Sequence, residues 1–334
     1  MKHMRVNDAI HLGLMLLAFA AAYLVPFELL LLAYVVLGPA HYFTEISWLH
    51  DRSYYLPHRG IALALAAVAI AAALIDNASW FGLAMWSALI VCAMLAATSS
   101  AAEGTLLFMI AIALAAIMYS SGSSLAVIGV LIPTLVHVSL FTLVFMTLGA
   151  WRSKSRAQAL LIAVYLAALA VILTFPPAAE VRIESFARVG QDYFANVGPA
   201  LGRLFGIRDL RLDTRLTSLL AFVYTYHYLN WFIKADVIRW ADVPRARLAL
   251  MIAASAASTA LYFYDYAFGF TFLLALSLIH ILLEFPLNSM ALRQLAAVAG
   301  QGLLRRTAGA EAGASASRTG RVRPKASKPG KRRR

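Results

Sequence analysis

The chain has 334 residues, 62% of them apolar and 13% charged, with a mean hydropathy of +0.75, a composition that excludes an ordinary soluble globular domain. Apolar runs long enough to cross a hydrocarbon core of about 30 Å, for which a helix needs roughly 20 residues, recur along almost the whole length and leave no room for a soluble catalytic domain. The one cysteine, Cys92, excludes an intrachain disulfide and a thiolate metal cluster.

Ten candidate spans follow in chain order, at about 8–25, 28–48, 60–76, 81–99, 104–120, 124–150, 157–175, 215–234, 246–266 and 268–289, and they predict an all-α polytopic transmembrane bundle. The first, containing "LMLLAFAAAYL", reads as an ordinary helix rather than a cleaved signal peptide. Lys and Arg mark the cytoplasmic side. They cluster at Lys2 and Arg5, at Arg52 and Arg59, at Arg152, Lys154 and Arg156, at Lys234, Arg239, Arg245 and Arg247, and after the last span. With ten spans these all fall on one side, which predicts a multi-pass protein of the bacterial inner membrane with both termini cytoplasmic. The connection 176–214 is the long external one; it mixes Arg182, Arg188, Arg203 and Arg211 with Glu180, Glu184, Asp192 and Asp213 and suits an interfacial helix or a lid.

The net charge of +13 is concentrated at the end of the chain, where residues 305–334 carry eleven Lys or Arg against Glu311 alone. This stretch is poor in large apolar residues and cannot bury a core. The expected organisation is therefore a membrane domain over 1–300 and a disordered polybasic cytoplasmic tail over 301–334. The tail's expected partner is anionic membrane lipid, and nucleic acid is not expected.

Of eight histidines, His3, His11, His50 and His58 fall at the surface or interface. His41, His137, His227 and His280 fall inside spans two, six, eight and ten, all of which run from outside to inside. Counted back from the cytoplasmic boundary of each span, the four lie within about 9 Å of one depth at 1.5 Å rise per residue. Two of them carry a carboxylate four residues on, as His41 with Glu45 in "HYFTE" and His280 with Glu284 in "HILLE", a spacing that puts both groups on one helix face. A glutamate in hydrocarbon costs several kcal/mol unless it is neutralised or paired. A metal ion would account for both pairs, and a mixed imidazole and carboxylate site suits iron, zinc or manganese, with non-haem Fe(II) and O2 chemistry among its uses. Glu45 and Glu284 then act either as ligands or by orienting a ligand histidine. Asn230, on the face of His227, reads as a packing hydrogen bond in preference to a further ligand. Tyr224, Tyr226 and Tyr228 read as interface or substrate-lining aromatics, the interface preferred, and Asp265 as an interfacial residue. Pro39, Pro133 and Pro286 stand close to His41, His137 and His280, where each can kink its helix and free a backbone carbonyl.

The segment "GPAHYFTE" resembles the Gly-x-Pro-His-Gly-x-x-Asp-His motif of the bacterial Brp/Blh family of membrane oxygenases, which cleave β-carotene to retinal with histidine-bound iron. The match runs through Gly38, His41 and the acid Glu45. The family's late His-x-x-Arg-His motif is similar at His227 in "HYLNW". Ile46 stands where the family has its second histidine, and Trp231 where the late motif has its last. The resemblance implies an all-helical membrane fold, His41, His137, His227 and His280 as iron ligands, and Glu45 and Glu284 supporting them.

These readings converge on an integral-membrane oxygenase or oxidoreductase. It would use O2 and a redox partner of unknown identity, and act on a lipid-soluble substrate (isoprenoid, carotenoid or acyl) at a non-haem iron. Zinc and haem stay open as cofactors. The alternatives are a haem-binding electron-transfer protein and a transporter that relays protons through His and Glu.

Overall fold

The computed structural model describes residues 2–56, 58–75, 135–177 and 214–319, with isolated positions between 84 and 113. The spans expected at 81–99 and 104–120, the start of the one at 124–150, and the connection 176–214 lie almost entirely outside the described residues. Every regular element among those residues is a helix. The longer ones, in chain order, are α1 (Lys2–Leu24), α2 (Pro26–Leu32), α3 (Gly38–His50), α4 (Arg59–Ala73), α5 (Thr142–Ser153), α6 (Arg156–Thr174), α7 (Thr214–Ile233), α8 (Arg245–Tyr264) and α9 (Tyr266–Thr319). π-Helical turns at Ala33–Leu37 and His137–Phe141 lead into α3 and α5.

Among the described residues, five stretches are long and apolar enough to cross a membrane: Asn7–Leu24, Pro26–His50, Arg156–Thr174, Arg245–Tyr264 and Tyr266–Gly300. The apolar helix Arg59–Ala73 is shorter. α7 was also expected as a span, but it carries polar residues on a scale the others do not. The reason is its place in the bundle. Thr217, Ser218, Thr225, His227 and Asn230 are all buried alongside Leu220, Phe222, Tyr226 and Tyr228, so α7 is covered all round, as a central helix must be. α1, α2, α6 and both π-turns pack on it, and one core joins Met15 and Ala18 of α1, Tyr165 and Ile172 of α6, and Phe222 and Tyr226 of α7. Tyr226 and Tyr228, expected at a membrane interface, are therefore interior residues at 0% and 1% exposure, and His11 is buried too.

Local chemistry sets the helix ends. Ser155 caps α6 by accepting the Gln158 N–H at 3.4 Å. Asp265 lies between α8 and α9 and accepts the Phe268 N–H at 3.0 Å. At this turn the two helices approach so closely that a Cβ on Gly269 would stand 2.4 Å from the Tyr262 Cα, so only glycine fits without displacement of backbone. At the ends of α3 and α8, Arg247 Nη1 bonds both carboxylate oxygens of Asp51 at 2.8 Å, which brings two of the basic clusters together.

Pro39 and Pro286 free carbonyls that other helices take up; Pro133 lies outside the described residues. Pro39 lacks the N–H that would bond Val35 O; the chain makes a π-turn just before it, and Val35 O accepts the Thr259 hydroxyl of α8 at 2.8 Å. Pro286, inside α9, likewise leaves Leu282 O, which accepts the Cys92 thiol at 3.5 Å.

The described chain divides into two units, Met1–Ala291 and Leu292–Arg334. The packing and the hydrogen bonds above belong to the first. The second is helical as far as Thr319, so helix extends into the segment expected to be disordered, in keeping with the Ala, Leu and Arg of "LLRRTAGAEA". Residues 320–334 lie outside the described residues.

Candidate metal centre

His41 enters from the first turn of α3, His137 from the π-turn before α5, His227 from the middle of α7 and His280 from α9. All four are buried, at 9% exposure or less. Their rings close a four-membered circuit with centroid separations of 4.9 Å from His41 to His227, 4.9 Å from His227 to His137, 5.0 Å from His137 to His280 and 4.7 Å from His280 to His41. The common depth expected from the sequence is thus a common site.

The nitrogens facing the middle of the circuit are Nε2 atoms. His41 Nε2 and His227 Nε2 are 3.2 Å apart, and His137 Nε2 and His280 Nε2 are 3.1 Å apart. Glu45 and Glu284 reach the same atoms. Glu45 Oε2 is 3.0 Å from His41 Nε2, and Glu284 Oε2 is 3.2 Å from His137 Nε2 and 3.7 Å from His280 Nε2. Both carboxylates therefore stand among the inward donors; Glu45 also reaches the outer nitrogen of His280, Nδ1, at 3.5 Å. The two carboxyl groups lie within hydrogen-bonding reach of each other, an arrangement that two bare carboxylates tolerate only with a shared proton or a cation.

Two side chains not singled out in the sequence hold the outer nitrogens. Thr142 Oγ1 is 2.8 Å from His227 Nδ1, and the Asn288 side-chain amide is 3.4 Å from His137 Nδ1. At His227 the Thr142 hydroxyl can accept the Nδ1–H, which fixes the ring's tautomer and leaves Nε2 free to bind; at His137 the same hold needs Asn288 Oδ1 turned to Nδ1, since the amide nitrogen that faces it is a donor. Asn288 had a signal, since it continues the i, i+4, i+8 series His280, Glu284, Asn288 along α9. Thr142 had none, because its partner lies on another helix.

The donors fit a metal ion. His137, His280 and Glu284 offer atoms that mutually approach within 4.8 Å, as do His41, His227 and His280. The separations 3.1, 3.2 and 3.7 Å of the first set make a triangle whose corners all lie about 1.9 Å from one point, close to the roughly 2.0–2.2 Å at which imidazole and carboxylate bind zinc-sized ions. Oε2 of Glu45 and of Glu284 accepts no well-formed hydrogen bond, so buried lone pairs face buried lone pairs, a cost that a cation removes.

Around the centre, Tyr42 and Tyr228 share a hydrogen bond of 2.7 Å between their hydroxyls. A cavity of about 10 Å³ lies against His137 and His280, lined also by Tyr42, Tyr224, Tyr228 and Ser277; that is room for one water-sized molecule. Trp231 does not enter the donor set. It packs edge-on to His41 with centroids 5.5 Å apart and donates its indole N–H to Thr44 Oγ1 at 3.0 Å. Ile46 packs into the apolar clusters on either side of α3. Asn230 is buried on α7 and takes no part in these contacts.

The fold and site define an all-helical protein with several helices able to cross a membrane and a buried His and Glu cluster able to hold a metal ion. No family model, no curated protein and no solved structure matches the chain.

Proposed function

We propose that the protein is an integral-membrane, metal-dependent oxidoreductase whose non-haem iron is held by His41, His137, His227 and His280 with Glu45 and Glu284, and that its substrate is lipid-soluble. The observation that carries the reading is the meeting of these six buried side chains from four helical segments, with donor separations between 3.0 and 3.7 Å. Mixed imidazole and carboxylate donors favour iron, zinc or manganese. Haem is disfavoured, because rings with centroids 4.7–5.0 Å apart leave no space for a porphyrin between them.

Bound iron supplies O2 activation. The chain's own part is to bind it, to orient His227 through Thr142 and His137 through Asn288, and to keep bulk water away with Val138 and Ile281, both nearly fully buried. The hydroxyls of Tyr42, Tyr228 and Ser277 beside the cavity can hold a molecule the size of water or O2 against the centre. The proposed placement is a multi-pass membrane protein with both termini cytoplasmic, as the basic clusters suggest, and O2 and an electron donor are its proposed partners.

Elemental analysis of the purified protein together with its visible spectrum tests the reading. Iron without a Soret band is expected, and His41→Ala or His280→Ala should bind less iron than the unaltered protein and lose the oxygen consumption. Full iron occupancy in either variant would sink the assignment, and a protein that binds no metal would turn attention to proton relay through the same His and Glu groups.

A further inference from the structure

We infer that the cluster binds two metal ions, one in His137, His280 and Glu284 and the second in His41, His227 and Glu45. The inference rests on the reading of the cluster as a metal centre and adds a second site to it. The first set closes on one ion by itself, as its triangle of donor separations shows.

What it leaves over is a second set of the same composition. His41 Nε2 lies 3.2 Å from His227 Nε2 and 3.0 Å from Glu45 Oε2, and bonds of about 2.1 Å at right angles place neighbouring ligands about 3.0 Å apart. Thr142 holds the outer nitrogen of His227, so the inner one is directed at His41. Two histidines and one carboxylate with open positions is a sufficient site for a first-row divalent ion.

Two groups of three donors mutually approach within 4.8 Å, His137, His280 and Glu284 in one and His41, His227 and His280 in the other; Glu45 joins the second through His41. The sets meet where the Glu45 and Glu284 carboxyl groups approach, the position from which a carboxylate can touch two ions. Two divalent ions against two carboxylates leave a positive balance. A hydroxide from solvent offsets part of it, and the cavity against His137 and His280 has room for one.

The test is metal stoichiometry in the full-length protein. The detergent-purified chain is loaded with ferrous iron under anaerobic conditions, freed of excess iron, and analysed for iron per chain before oxidation and electron paramagnetic resonance. Two irons per chain are expected, with little high-spin ferric signal because neighbouring ferric spins couple. Glu45→Gln and His227→Ala should each keep one iron per chain and gain the signal of an isolated ferric ion. One iron per chain in the unaltered protein overturns the two-ion site and leaves the single metal centre standing; no iron overturns both.

Discussion

Glu284 lies one helical turn from His280 on α9, yet its carboxylate oxygen is closer to His137, at 3.2 Å against 3.7 Å. The side chain thus ties α9 to the π-turn that carries His137, and it completes a donor set with a nitrogen from each. Removing its charge without changing its shape should strike metal binding rather than folding. Glu284→Gln is expected to weaken metal affinity by at least about 100-fold, beyond the effect usual for groups behind a ligand, with helix content unchanged. Competition titration against a chelator measures the first and circular dichroism the second.

Thr142 and Asn288 hold His227 and His137 by their outer nitrogens. Thr142→Val and Asn288→Leu should each lower metal affinity by about 10–100-fold. Thr142→Ser, which keeps the hydroxyl, should recover most of the loss. Equal losses in the Val and Ser variants would show that packing, and not the hydrogen bond, sets the ring.

The sequence carried the depth of the four histidines, because each apolar run ends at a basic cluster and the count back from that end is a distance. It also carried the faces of His41 with Glu45 and His280 with Glu284, since four residues make nearly one turn. It could not carry the rotation of one helix against another. For that reason the crossing of Glu284 to His137, the hold of Thr142 on His227 and the inward turn of Tyr226 and Tyr228 were illegible. The last two illustrate the ambiguity: a tyrosine near a span's end has the same composition whether it faces lipid headgroups or a neighbouring helix. Pro39 and Pro286 marked where carbonyls would be freed, while the groups that accept the task, Thr259 and Cys92, are more than 180 residues away in sequence.

The Thr259 hydroxyl on Val35 O makes a prediction about stability. Thr259→Val leaves the carbonyl beside Pro39 without its partner and should cost about 1 kcal/mol, while Thr259→Ser should be nearly neutral. Thermal unfolding of the detergent-solubilised variants, followed by circular dichroism, gives the comparison. A Val variant as stable as the parent would mean that the π-turn satisfies this carbonyl on its own.

The contact of α8 with α9 at Gly269 should tolerate no side chain. Gly269→Ala would drive a Cβ into the Tyr262 backbone and is expected to destabilise by about 1–3 kcal/mol. Gly13→Ala on α1 meets nothing within 4 Å and should be neutral or stabilising by about 0.5–1 kcal/mol. The same unfolding assay applied to both variants separates a steric cause from a general intolerance of change at helical glycines.

X-ray absorption at the metal edge of the protein purified from iron-supplemented cells tests the central claim most directly. The account predicts a shell of nitrogen and oxygen neighbours alone at about 2.0–2.2 Å, with the outer scattering pattern of imidazole rings, and a weakening of that pattern per chain in His41→Ala and His280→Ala. A sulfur shell near 2.3 Å, a porphyrin pattern, or a protein that retains no metal would contradict it.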